Sequence, residues 1–196
     1  MYSMKKIKIA IIGSGGHAKS CIEVLSGIKN IKIVGLIDNN SKKKLGKYNV
    51  ICSEKNILKL KKITNNIIIG VGSINNNSKR IKIFNKFKKL GFNFPVIISK
   101  YANVSSQSEL GEGTIVFNHV FINAGSSIGK NCLINNKTLI EHDVKIKDHC
   151  HISTGVIING NCEIEEGTFI GSGSVILNNL KIKKNSFLKM GTIKKK

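Results

Sequence analysis

From Val104 onward, an aliphatic residue opens every block of six. The series runs Val104, Leu110, Val116, Ile122, Ile128, Ile134, Ile140, Ile146, Ile152, Ile158, Ile164, Ile170, Ile176, Ile182, Leu188. Four places after each opener stands a second, mostly small residue: Ser108, Thr114, Val120, Ser126, Cys132, Thr138, Val144, Cys150, Val156, Cys162, Thr168, Ser174, Leu180, Ser186, Thr192. A helix repeats its apolar face every 3.6 residues and a strand every two, so neither produces this spacing. A period of six with an aliphatic corner predicts a β-solenoid, in which each unit buries its face only by stacking on the next.

The first half of the chain has a different rhythm. Residues 6–12 read as a buried strand, and Gly13-Ser14-Gly15-Gly16-His17 turns from it into a helix reaching about Leu25. Ile31 to Ile37 is a second strand, closed by Asp38-Asn39-Asn40. A short element near Val50, a helix around Glu54 to Leu60 and a strand from Ile67 to Val71 come next. A longer helix spans about Ser78 to Leu90 and ends at Gly91, and Phe94 to Ile98 reads as a last strand. Strands alternating with helices predict a small, Rossmann-like parallel α/β domain over residues 1–97, with the solenoid over 98–196.

Composition narrows the functional classes. The chain has 196 residues, 41% of them hydrophobic, and its longest apolar runs, such as Ile67 to Ile69, are far too short to cross a bilayer. The N-terminus leads into a strand rather than a signal core, so the expectation is a cytoplasmic protein without an integral membrane segment. The net charge of +21 raises the possibility of nucleic acid, acidic membranes or anionic small molecules. The lysines are spread along the chain, however, and Arg80 is the only arginine, whereas nucleic-acid binders concentrate arginine and aromatics on one face. The expectation is a solvated basic surface and no nucleic-acid partner. Five cysteines stand at 21, 52, 132, 150 and 162 without a CxxC pair. Three of them fall on the small position of the hexad and read as packed residues, and neither a disulfide framework nor a metal site is expected.

Two stretches carry candidate chemistry. Gly13-x-Gly15-x-x-Ala18, between a strand and a helix, is a loose dinucleotide fingerprint, with Asp38 as the acid at the end of the second strand. The domain is only about half of a two-lobed nicotinamide fold, so a nucleotide moiety held at the helix N-terminus fits better than a redox cofactor. In the solenoid the candidate is Ile140-Glu141-His142-Asp143. His142 takes the third place of its hexad and points out of the coil, where an imidazole can deprotonate an amine or a hydroxyl. Either neighbouring carboxylate, Glu141 or Asp143, can orient the ring.

The repeat is similar to that of the hexapeptide acyltransferases, left-handed parallel β-helices with three hexads per triangular coil. That geometry implies five coils, with residues 18 apart directly above one another at about one inter-strand spacing, roughly 4.8 Å. Gly15-Gly16-His17, Ile37-Asp38-Asn39 and Ile69-Gly70 standing together ahead of such a solenoid resemble the PglD/NeuD-type sugar acetyltransferases, over essentially the whole chain. The resemblance implies a sugar or nucleotide-sugar site at Gly15, Gly16, His17, Asp38, Asn39 and Gly70, although the family has a second acid where this chain has Asn39. It favours Asp143 as the partner of His142 and assigns the backbone N–H of Gly160, 18 residues on, to the oxyanion. It implies acetyl-CoA contacts at His151, Gly155, Ser172, Gly173, Met190 and Gly191, a homotrimer with the cofactor between neighbouring solenoids, and no metal. Relatives continue into a Gly-x-Pro-Ala tail, where this sequence ends in Gly191-Thr192-Ile193-Lys194-Lys195-Lys196.

The expected activity is acetyl-CoA-dependent acetylation of the amine of a UDP-linked 4-amino sugar in bacterial glycan synthesis. The alternatives are O-acetylation of a sialic acid or other sugar, since the same base serves a hydroxyl, and a solenoid scaffold without catalysis.

Overall fold

A computed structural model describes residues 6–72 and 77–195 of the chain. They fall into two compact units, one of residues 6–72 and 82–95, the other of residues 77–81 and 96–195.

The first unit is built on β1 (Ile7–Ile12), α1 (Gly16–Ser26), β2 (Ile31–Ile37), β3 (Lys44–Leu45), β4 (Tyr48–Cys52), a 3₁₀ helix over Glu54–Lys62, β5 (Ile67–Ile69) and α2 (Ser78–Lys89). The strand order is β3-β4-β2-β1-β5. β1, β2, β4 and β5 run parallel, and their Ile-rich sequences fit strands covered on both faces. The sheet is mixed rather than wholly parallel, because β3 pairs antiparallel with β4 through a two-residue turn in which Gly46 adopts φ +56°. Ile12, Ile37, Ile69, Leu60, Phe84, Phe87, Phe92 and Phe94 meet in one core. Gly70 has a packing role: a Cβ there would lie 2.7 Å from Ile11 and 2.9 Å from Ala18, so only glycine lets α1 approach the sheet.

The stretch expected as a last strand behaves differently. Only Ile97–Ile98 is extended, and it pairs in parallel with Ile115–Val116 in the second unit. Ile98 stands six residues before Val104, so it continues the hexad series backwards, and the solenoid offers it a ladder of hydrogen bonds.

The solenoid has three walls of two-residue strands. The first stacks Ile97–Ile98, Ile115–Val116, Leu133–Ile134, His151–Ile152, Phe169–Ile170 and Phe187–Leu188. The second stacks Asn103–Val104, Phe121–Ile122, Leu139–Ile140, Ile157–Ile158, Val175–Ile176 and Ile193–Lys194. The third stacks Glu109–Leu110, Ser127–Ile128, Lys145–Ile146, Glu163–Ile164 and Lys181–Ile182. Every pairing is parallel with an offset of 18 residues, as in Phe121↔Leu139 and Leu133↔His151. The whole is a left-handed parallel β-helix of hexapeptide repeats. The openers from Ile122 to Ile176 are almost completely buried and form one continuous column with Cys132, Cys150 and Cys162.

The small position of the hexad has a second reason beyond volume. Thr114, Ser126, Cys132, Thr138, Cys150, Cys162, Thr168 and Ser174 each donate their hydroxyl or thiol to the carbonyl 15 residues ahead. Each therefore satisfies a backbone acceptor of the next coil from inside the core. The Cys132 hydrogen bond and burial both push the Cys150 thiol well above the ordinary range, so it stays neutral.

From Gly113 onward each turn between walls contains one residue with left-handed backbone, such as Gly125, Asp143 and Asn161 between the second and third walls. Gly, Asn, Asp and His tolerate that conformation best, which accounts for most of the residues found there.

Candidate active site

His142 and Asp143 occupy the turn that carries the chain from the second wall to the third. The left-handed φ of +60° at Asp143 turns its side chain back toward the preceding residue, and His142 Nδ1 lies 2.8 Å from Asp143 Oδ2. The ring is 59% exposed and the carboxylate 63%, so both are open to a ligand. With Nδ1 donating to the carboxylate, Nε2 is the nitrogen left to accept a proton.

Gly160 lies one coil above. A Cβ built on it would sit 2.7 Å from both Cε1 and Nε2 of His142, so the ring rests against bare backbone. Gly160 is buried, and its N–H has no acceptor among the described residues. A backbone donor without a partner in a buried residue is rare, and this one belongs to the residue against which the imidazole rests.

The sequence reading missed the residue below. A Cβ on Gly125, 18 residues before Asp143, would fall 2.5 Å from Asp143 Oδ1. Left-handed φ alone does not demand glycine here, since His119, Asn131 and Lys137 hold the same conformation at other turns. Two glycines thus bracket the pair, Gly160 over the imidazole and Gly125 under the carboxylate. The subtraction 143 − 18 was the available signal. Glu141, the other carboxylate considered, is held instead by Asn123 Nδ2 at 2.9 Å.

The residues expected at the cofactor gather on another edge. Gly155, Gly173 and Gly191 stack in register at the turn from the first wall to the second, with φ values of 68–69° and nothing within 4 Å of a built Cβ. They leave a strip along the solenoid bare of side chains. Ser172 Oγ lies 2.8 Å from Ser153 Oγ beside it, and Met190 is 81% exposed. Such a strip fits an extended ligand with a flexible arm. His151 stands on the first wall, buried, edge-on to Phe169 with ring centroids 5.0 Å apart and 3.3 Å from Asn135 Nδ2.

The remaining solenoid histidines lie apart. His119 stacks on Tyr101, and His149 sits half-buried against Asn131 at the third edge. Burial holds the His149 imidazole below its usual range, against the opposing pull of Asp148 and Glu166. Among the described residues no group of three or more His, Cys, Asp or Glu is placed to hold a metal, and no helix is long and apolar enough to cross a membrane.

In the first unit, Gly15 caps α1 with no side-chain hydrogen bond, and neither Gly15 nor Gly16 has anything within 4 Å of a built Cβ. The turn that opens α1 is therefore bare of side chains at both glycines among the described residues. His17 Cβ packs 3.3 Å from the Cβ position of Gly72. Ser14, not singled out from the sequence, links this turn to Asp38 by donating its hydroxyl to Oδ2. Asn40 N–H donates to Asp38 Oδ1 at 3.0 Å. Burial pushes the Asp38 carboxyl up, but the Ser14 hydroxyl, the Asn40 and Asn39 amides and Lys43 outweigh it and hold the group below its ordinary range. Asn39 Oδ1 accepts from Glu54 N–H at 3.3 Å, tying the loop to the 3₁₀ helix. Asp38 also borders a cleft of about 330 Å³ with Ser41, Cys52, Asn56 and Lys59.

Comparison with known proteins agrees with both units. Residues 8–87 match the PglD N-terminal domain, and residues 125–160 match the bacterial transferase hexapeptide family over six repeats. No curated protein matches the sequence. Among solved structures, the acetyltransferase domain of PglB from Neisseria gonorrhoeae, in complex with acetyl coenzyme A, is similar with a TM-score of 0.86 and 26% identity, over 95% of this chain and 89% of that one. An Asn-for-His mutant of perosamine N-acetyltransferase from Caulobacter crescentus, in complex with CoA and GDP-perosamine, gives 0.88 and 26% over 97% and 89%. WeeI from Acinetobacter baumannii shares the fold, with a TM-score of 0.80 at 24% identity over 97% and 92%. With a PglD N-terminal domain set ahead of hexapeptide repeats, the chain belongs to the PglD-type sugar acetyltransferases of the hexapeptide-repeat family.

Proposed function

We propose that the protein transfers the acetyl group of acetyl-CoA to the amine of a 4-amino sugar carried on a nucleoside diphosphate, with His142 as the general base. The observation that carries this reading is the His142–Asp143 pair, whose ring rests against the backbone of Gly160, a residue whose N–H has no acceptor among the described residues. A proton acceptor and an oxyanion donor side by side is the arrangement that acyl transfer requires.

Acetyl-CoA, bound along the strip of Gly155, Gly173 and Gly191 with Ser172, Met190 and His151 beside it, supplies an activated acetyl thioester. The acceptor amine forms the new C–N bond as the C–S bond breaks. Nε2 of His142 takes the proton released from nitrogen and returns it to the departing thiolate. Asp143 holds the ring with Nε2 outward and stabilises the imidazolium while the proton is there. The Gly160 N–H donates to the carbonyl oxygen as charge collects on it.

The sugar nucleotide belongs to the first unit. The α1 amides beside Gly15, Gly16 and His17 would receive phosphate oxygens. Asp38, already ionised, would receive a hydroxyl or N–H donor, with Asn39 and Gly70 at the rim. The similar perosamine N-acetyltransferase, solved with CoA and GDP-perosamine, supports a nucleotide-linked acceptor. The UDP-linked form is our choice of carrier.

The glycine strip and His142 lie on different edges of one solenoid. A second copy would bring a strip beside a His142, which supports a homotrimer with active sites between subunits. A cytoplasmic site of action fits these substrates.

The test is thiol release from acetyl-CoA with UDP- and GDP-linked 4-amino sugars, free sialic acids and CMP-linked sialic acids, for wild type and His142→Ala. Release with a 4-amino sugar that is lost in His142→Ala is expected. Release only with a sialic acid would replace N- by O-acetylation, and absence of acetyl-CoA binding would leave a scaffold.

A further inference from the structure

Charge is divided unevenly between the two units. Residues 1–72 and 82–95 carry eighteen lysines against only Glu23, Asp38 and Glu54, whereas the other unit sets eight carboxylates beside fourteen basic residues. Two elements concentrate the excess. The 3₁₀ helix carries Lys55, Lys59, Lys61 and Lys62, and the part of α2 in this unit carries Lys82, Lys86, Lys88 and Lys89, all exposed. Glu54 is the sole carboxylate on either element, and Lys86 occupies it at 2.7 Å. Lys61 lies 5.5 Å over the Phe92 ring, which follows α2, so the two elements share one face of the unit.

That face is not purely polar. Ile57 and Leu60 turn into the core, at 4% and 1% exposure, and fix which side of the 3₁₀ helix looks outward. On the outward side Leu58 is 59% exposed and Ile63 44%. Leu58 stands three residues after Lys55, three before Lys61 and four before Lys62, so lysines flank this exposed aliphatic residue along the element. Folding does not bury this leucine, and its surroundings repel any cationic partner.

We propose that this face docks on the surface of an anionic lipid bilayer. Lysines hold their ammonium groups at headgroup phosphates while their stems lie along apolar surface. Leu58 and Ile63 would enter the boundary between headgroups and acyl chains. Nucleic acid is a poorer match, because recognition of its bases calls for arginine and exposed aromatic rings, and among the described residues the 3₁₀ helix and Lys82–Lys89 present neither. The face carries none of the residues assigned to catalysis, so the enzyme would work at a membrane surface without spanning it.

The experiment is flotation of the full-length protein with vesicles of phosphatidylcholine alone or mixed with phosphatidylglycerol, at low and high salt. Flotation only with the anionic vesicles, weakened by salt, is expected. Each lysine close to an anionic surface is worth roughly fivefold in binding. Lys55→Glu with Lys62→Glu should therefore lower the apparent affinity by roughly tenfold or more. Lys29→Glu with Lys32→Glu, which changes net charge equally elsewhere on the unit, should lower it far less. Leu58→Ser should reduce the fraction that stays bound at high salt. Circular dichroism and thermal melting verify that each variant is folded. No flotation of the wild type at low salt overturns the proposal. So does equal loss in the two double variants, which would make net charge the cause. Lys55- and Lys62-dependent retention of single-stranded RNA without flotation would give the face to nucleic acid instead.

Discussion

Replacing Gly160 by alanine separates chemistry from folding. Gly160 does not adopt left-handed φ, so alanine costs its backbone little. The new methyl would sit 2.7 Å from Nε2 and Cε1 of His142, against about 3.5–4.0 Å for an unstrained contact. The ring must retreat by about 1 Å, and solvent offers it the room, because the side chain is 59% exposed. Misplacing a reacting group by about 1 Å costs on the order of 100-fold. That ratio corresponds to about 2.7 kcal/mol of activation free energy. The expected result is a kcat about 100-fold lower in the thiol-release assay, with a melting temperature within a few degrees of wild type. Gly46→Ala supplies the opposite case. Its φ is +56° with nothing near a built Cβ, so alanine there strains the backbone by about 1–2 kcal/mol and touches no site residue. It should lower the melting temperature and spare kcat. A Gly160→Ala enzyme within twofold of wild-type kcat would refute the argument that the imidazole works against this backbone. A large fall in melting temperature would mean that Gly160 serves the coil instead.

Two further predictions rest on neighbouring geometry. Gly125→Ala should push the Asp143 carboxylate off its seat and release the His142 ring, costing about tenfold in kcat with little change in KM; an unchanged kcat would remove Asp143 from the mechanism. Asp38→Asn tests linkage: the folded carboxyl titrates below its unfolded value, so its ionised form adds stability above the ordinary carboxylate pKa, and this is lost as pH falls through the folded value. Thermal melts from neutral pH down to about pH 3 should show the wild type losing more stability than Asp38→Asn. Parallel curves would show that Asp38 is not held by Ser14 and the Asn40 amide in solution.

The hexad made much of the second unit legible before any coordinates. A six-residue period is a statement about the cross-section of a coil, so it names the inward positions from Val104 to Leu188 and leaves His142 facing outward. Burial of the Ile122 to Ile176 column follows from it directly. The βα turn at Gly13 to His17 was equally plain, because glycines between an apolar run and an amphipathic helix have few other uses. Less legible was the hydrogen-bonding duty of Ser126, Cys132 or Thr168, whose small volume explained them well enough without it.

What the sequence determined by itself is local: which residues turn inward, where the period changes, and which stretch holds an imidazole between two carboxylates. Tertiary structure decided the pairings. Phe94 to Ile98 can extend either a flat sheet or a solenoid wall, and only the ladder to Ile115–Val116 assigns Ile97–Ile98 to the wall. Asp143 rather than Glu141 holds His142, because the turn bends one carboxylate toward the ring while Asn123 draws the other away. Gly125, Ser14 and the strip of Gly155, Gly173 and Gly191 acquire meaning only from neighbours 18 or more residues distant. The physical reason is register: the chain specifies which side of each strand is apolar, but the stacking of one coil on the next sets which side chain meets which backbone.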